Sequence, residues 1–230
     1  MYQERGVDEL ILLDIAATPE GRGPDFKLVE ELSRDLFCPL TVGGGVRSVQ
    51  DVRDLLNAGA DKVAVCTAVV RHNPIVREIA KVCGSQALVI AIDYLVVNDS
   101  AWTDTRPCVV TGCGKEAICN ADSNDEYMPP MHPARFAQFA QEVGAGEILL
   151  TSIDRDGTGE GYDLDLIRAV SDAVSVPVIA NGGCGSYEHM LQAIEAGASA
   201  VAAGAFFAWA DATPREAARY LQEHGVEARV

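Results

Sequence analysis

Positive charge is scarce in this chain: Lys and Arg total 18 against 34 Asp and Glu, a formal net charge of −16 over 230 residues. Such a surface repels phosphate backbones and anionic headgroups, so a nucleic-acid or membrane-surface partner is disfavoured, and an anionic ligand needs local backbone donors. Long apolar runs are missing too. No stretch reaches the ~18–20 residues that cross a bilayer, and Met1 is followed by polar Gln3, Glu4 and Arg5 rather than a basic-then-apolar leader, so the expected location is cytoplasmic. Cysteine gives no even framework. There are seven, and Cys38, Cys66, Cys83 and Cys184 sit in or beside apolar segments, as reduced thiols do. Cys108, Cys113 and Cys119 are spaced by five and six with His132 the one histidine nearby, which fits no common zinc pattern; neither metal nor cofactor is expected. Aromatics are few at 6%, whereas 48% of residues are apolar, a composition that suits a buried parallel sheet wrapped in helices. The length suits one large domain spanning 1–230.

What the sequence does contain is an internal repeat. Gly6 matches Gly144 at an offset of 138 residues, and the match runs without a gap to about Ala64. Asp25 falls on Asp163, Ser33 on Ser171, Pro39 on Pro177, Gly44-Gly45 on Gly182-Gly183, Ser48 on Ser186 and Gly59 on Gly197. Each copy alternates short apolar runs with helical spacings such as Phe26, Val29, Leu32 and Leu36, the pattern of βαβ units. Seven strands are predicted at 9–15, 39–43, 62–67, 87–93, 147–153, 177–181 and 200–205. Shifting 87–93 back by the offset lands before Met1. The expectation is therefore a (β/α)₈ TIM barrel whose first strand-helix unit is missing, through a mis-set start or an excised unit, with a complementing second chain as the alternative. The stretch 95–133 has no helical period and reads as a long loop insertion, with Ala101-Trp102 and 108–111 as a possible hairpin.

Barrel enzymes carry their chemistry where strands end. The glycine clusters Gly43-Gly44-Gly45 and Asn181-Gly182-Gly183 suit main-chain phosphate cradles at helix starts, related by the repeat and so placed on opposite sides of the mouth; tight turns are the plainer alternative. Asp93 ends the most apolar strand and is the candidate acid-base group, with a turn cap as its alternative. Asp14 either contacts substrate or holds neighbouring loops. Asp156 is a second carboxylate or part of a plain Asp-Gly turn. The substrate- and phosphate-binding candidates are Asp14, Gly44, Gly45, Cys66, Thr67, Thr151, Asp156, Gly157, Gly182, Gly183, Ala203 and Gly204. Glu9, Lys62 and Glu147 lie near strand starts, as a structural ion-pair layer or as a gate.

With these residues in view, the chain resembles the cyclase subunit of imidazole glycerol phosphate synthase over nearly its whole length. The motifs are Asp8-Glu-Leu-Ile-Leu-Leu-Asp14-Ile, Thr41-Val-Gly-Gly-Gly45-Val, Gly59-Ala-Asp-Lys62-Val, Ala91-Ile-Asp93, the long run from Gly146 to Thr158, and the tail His224-Gly225-Val226. The resemblance implies a lyase of histidine biosynthesis. A glutaminase subunit docked at the barrel bottom would supply ammonia to cyclise a doubly phosphorylated ribulosyl-aminoimidazole carboxamide, giving imidazole glycerol phosphate and an aminoimidazole carboxamide ribotide. It also implies an ammonia gate at Glu9, Lys62 and Glu147, Asp61 facing the glutaminase, and phosphate contacts at Gly45, Thr67, Gly182, Gly183 and Gly204. There are departures. The family pairs two aspartates, of which Asp93 matches one, so the expected turnover is poor; Cys66 stands where the family carries asparagine, and Gly204 where serine is common. The alternatives are a paralogue that uses ammonia in amidino-sugar formation, faintly resembled by the segment Pro19 to Pro24, and a non-catalytic phosphate-binding relic.

Overall fold

The computed structural model describes residues 4–71, 74–97, 106–111, 116–117 and 131–229. Strands β1 (Leu10–Leu13), β2 (Leu40–Gly43), β3 (Lys62–Val65), β4 (Leu88–Val97), β7 (Glu147–Ser152), β8 (Val178–Asn181) and β9 (Ala200–Val201) form a parallel sheet in that order. Helices α1 (Phe26–Ser33), α2 (Val49–Asn57), α3 (Thr67–Arg71) with α4 (Pro74–Cys83), α5 (Pro133–Val143), α6 (Leu164–Ser171) and α7 (Tyr187–Glu195) connect successive parallel strands. Helices α8 (Ala205–Trp209) and α9 (Pro214–Glu223) follow β9. Strands β5 (Arg106–Thr111) and β6 (Glu116–Ala117) extend the sheet antiparallel from β4.

The sheet is curled. Adjacent strands lie about 4.8 Å apart, so in a flat sheet β1 and β7 would be separated by roughly 19 Å. Yet Lys62 on β3 reaches Glu9 before β1 at 3.0 Å and Glu147 on β7 at 2.7 Å. Only a concave face brings them to one ammonium, and the seven parallel strands make the barrel-type α/β wall expected from the sequence.

Side-chain alternation then sorts every strand. On β4, Leu88, Ile90, Ile92 and Tyr94 pack outward in the large core under the helices, while Val89 and Ala91 join Ala64 and Leu149 in a separate cluster on the concave side. Asp93 has the parity of the concave set.

The duplication is visible atom by atom. Asp25 and Asp163 cap α1 and α6 by accepting from the backbone N–H groups of Leu28 and Leu166. Ser48 and Ser186 cap α2 and α7 in the same way. Asp61 N–H donates to the Leu40 carbonyl and Ser199 N–H to that of Val178, both at 2.8 Å. Burial breaks the equivalence. Leu28 and Leu32 on α1 are 42% and 39% exposed, whereas their mates Leu166 and Val170 on α6 are 4% and 0% exposed, because α5 packs against α6. Among the described residues, β1 pairs with β2 alone and β9 with β8 alone.

Several boundaries differ from those read in the sequence, and three have a visible cause. The first strand stops at Leu13, because the Asp14 carboxylate accepts the N–H groups of Ala16 and Ala17 and turns the chain. The last strand is two residues long, with a ladder on one side. Strand β4 runs on to Val97 because β5 supplies an antiparallel partner, Asp93 opposite Val110 and Leu95 opposite Cys108. The hairpin segment at 108–111 thus lies in β5, while Ala101, Trp102, Cys113 and Cys119 are outside the described residues. The loop ends at Pro133, where the His132 Nδ1 accepts from Ala134 N–H and caps α5.

Two stability measurements follow from this packing. Val170→Ala should cost about 2 kcal/mol in urea unfolding, and Leu32→Ala under ~1 kcal/mol, although the two sites are repeat mates; equal costs would contradict the burial difference. For the barrel floor, burial pulls Lys62 toward the neutral form, but its hydrogen bonds to Glu147 and Glu9 outweigh this and raise its pKa above 10.5. A raised folded-state value means that the contribution is present below 10.5 and lost as pH climbs through the folded value. Lys62→Met should cost about 2 kcal/mol at pH 7, less than a fully buried pair because Glu9 stays partly solvated. The gap to wild type should narrow above pH 10.5, as read from denaturation midpoints.

Candidate functional site

The concave rim gathers the ends of the parallel strands. Strand β2 ends at Gly43, and Gly44 and Gly45 follow with φ of +109° and +69°; β8 ends at Asn181, and Gly182 and Gly183 follow with +87° and +105°. Two consecutive glycines at positive φ leave main-chain N–H groups uncovered by side chains at each turn, which makes the pair a candidate nest for an anion. Space forbids a side chain as firmly as the dihedral does. A Cβ on Gly44 would strike the Asp14 carbonyl, and one on Gly182 the matching Ser152 carbonyl. Each nest runs into the N-terminus of a nine-residue helix, α2 or α7, whose dipole favours negative charge there. In the sheet order the nests are four strands apart, so they flank the mouth from opposite sides.

Between them sits Asp93. Its register partners are Thr151 on β7 and Val110 on β5, and Thr151 Oγ1 accepts from Asn181 Nδ2 at 3.3 Å, which continues the rim to the second nest. From β3, the Cys66 thiol donates to Asp93 Oδ2 at 3.7 Å. Burial pushes the Asp93 pKa up, the thiol hydrogen bond opposes this, and the charge of Asp156 adds to the rise. Asp156 itself is exposed in the turn after β7, where its N–H donates to the Ser152 carbonyl, with Gly157 beside it. The result is a carboxyl more basic than usual on the concave side, the property expected of a candidate proton-transfer group.

Other candidates fall into place unevenly. Asp14 holds loops: it accepts from Ala16, Ala17 and the Arg22 guanidinium, which keeps its carboxyl below the usual range. Thr67 opens α3 directly after Cys66, and Gly204 caps the short α8 after β9, with Ala203 before it. The floor cluster Glu9–Lys62–Glu147 lies at the opposite end of the strands and takes no part in the rim. Sequence patterning does not single out Arg22. It bonds Asp14 and Glu20, and its carbonyl accepts from Arg47, so it knits the loop after β1 to the first nest. The mate of that loop is held by Arg155, which donates to the Gly161 carbonyl. Arg22 stands between two glycines and Arg155 between two aspartates, and nothing in the spacing announces their partners.

Among the described residues no group of His, Cys, Asp and Glu is arranged to hold a metal ion, and no helix is long and apolar enough to cross a membrane. A family model described as histidine biosynthesis protein matches residues 1–212. The chain is 44% identical over 229 residues to imidazole glycerol phosphate synthase subunit HisF of Pyrobaculum aerophilum, an alignment that covers 100% of this chain and 84% of that protein. A match of that extent means that the chain belongs to the histidine biosynthesis protein family.

Proposed function

We propose that the chain is the cyclase subunit of imidazole glycerol phosphate synthase, a lyase that uses ammonia from a glutaminase partner to convert a doubly phosphorylated ribulosyl-aminoimidazole carboxamide into imidazole glycerol phosphate and aminoimidazole carboxamide ribotide. The observation that carries this reading is the pair of nests, Gly44-Gly45 and Gly182-Gly183, on either side of Asp93. A substrate with a phosphate at each end spans such a mouth, and main-chain donors bind it despite the net charge of −16. Its middle then lies against Asp93, which moves protons during ring closure and release of the ribotide. Thr67 with Cys66, Thr151, and Ala203 with Gly204 complete the rim around the phosphates, while Asp156 and Gly157 border Asp93 from the β7 turn.

At the other end, the glutaminase docks on the floor. Glu9, Lys62 and Glu147 close the concave face there, and Asp61, whose carboxylate accepts from Leu40 N–H at 2.8 Å, belongs to the same surface. Ammonia enters past the Lys62 ion pairs, which are partly solvated and so can exchange.

With ammonium salt as nitrogen donor and the histidine-pathway intermediate as substrate, Asp93→Asn should lower turnover by roughly 10²- to 10⁴-fold and leave substrate binding by calorimetry within a factor of about three. Retention of most activity would remove the acid-base assignment. Phosphate binding is tested separately: Gly182→Ala should raise KM at least about tenfold through strain and lost nest geometry. Gly23→Ala, where a Cβ meets nothing within 4 Å and φ is not positive, should leave KM unchanged.

A further inference from the structure

Cys66 follows β3 and packs among the concave residues Ala64, Val89, Ala91 and Leu149. A small apolar side chain would fill that place equally well. What the thiol adds is a donor: its Sγ lies 3.7 Å from Asp93 Oδ2, within reach of a hydrogen bond to sulfur. Among the described residues no other side chain hydrogen-bonds the Asp93 carboxyl. The groups that face Asp93 from the neighbouring elements are Thr151 on β7 and Val110 on β5, both uncharged, and Asp156 in the β7 turn, which repels it.

We propose that Cys66 is a positioning residue for Asp93: its thiol donates to the carboxylate, fixes which oxygen faces the cavity, and sets how readily the acid takes up a proton. The inference rests on the reading of Asp93 as the acid-base group. The thiol does not act as a nucleophile, since burial and the adjacent carboxylate push its pKa well up and keep the S–H intact. Thiol and acid thus divide the work: burial and Asp156 raise the proton affinity of Asp93, and the S–H bond limits how far.

The test needs no turnover. In protein labelled with ¹³C at aspartate side chains, the Asp93 titration should move up by roughly one pH unit in Cys66→Ala and return toward wild type in Cys66→Ser, which restores a donor. In infrared difference spectra of wild type minus Cys66→Ala, the isolated S–H stretch should shift when Asp93→Asn is introduced. Where turnover is measured, the acidic limb of the pH–rate profile should follow the NMR shift, with kcat reduced. An Asp93 titration that does not respond to Cys66→Ala, or an S–H band indifferent to Asp93→Asn, overturns the proposal. Should Cys66→Ala fail to fold, the infrared comparison of wild type with Asp93→Asn still decides it, using Cys66→Ser as the subtraction. Failure of the acid-base reading is distinct: it shows as activity in Asp93→Asn with the thiol contact intact.

Discussion

Alternation of side chains on a curled parallel sheet is the constraint from which the rest of this structure follows. Each strand shows every second residue to the concave face, so a position near a strand start belongs to the floor and one near its end to the rim. Lys62, Ala64 and Cys66 therefore occupy floor, middle and rim in succession, in step with Glu147, Leu149 and Thr151. A one-residue slip in any register would move that strand's whole set under the helices. The fully buried outward set of β4, Leu88, Ile90, Ile92 and Tyr94, guards against it by filling the space against the helices.

The internal repeat builds on this constraint by supplying the rim twice. Caps, cross-strand bonds and positive-φ glycine pairs recur at the same offset, so two like turns face one mouth. The halves part where their roles do. Strand β4 ends in Asp93 and continues into a hairpin with β5, tied down where Val96 N–H donates to the Asp154 carboxylate at 2.6 Å. The one acid of the central rim is thus braced between the antiparallel hairpin and β7.

An acidic protein suited to the proposed anionic substrate has to separate global from local electrostatics. The cations nearest the first nest are already committed: Arg22 to Asp14 and Glu20, and Arg47 to the Arg22 carbonyl. They hold loops rather than present free charge, which leaves main-chain N–H groups and helix termini as the anion donors. The same economy of charge appears at Asp93, where the stabilising donor is a neutral thiol. A lysine or arginine there would hold the carboxylate ionised and remove its use in proton transfer.

Much of this was legible in the residues. The 138-residue offset, the alternation of apolar runs and helical stripes, and the glycine pairs at strand ends determined the barrel-type wall and the two positive-φ turns at its rim, because each rests on local periodicity or on a backbone dihedral that glycine serves. Asp93 stood out as a carboxyl closing an apolar run. Other features arose only in three dimensions. Lys62 meets Glu9 and Glu147 because the sheet curls, Asp14 turned out to brace its loop through Arg22, and the strand past Asp93 persists because β5 pairs with it. The thiol-carboxyl contact of Cys66 and Asp93, 27 residues apart, depends on two strand ends arriving at one height of the rim. Sequence determines which side chains share a face, through a period of two; which of them touch is decided by curvature and register, which are properties of the closed packing and of no single segment.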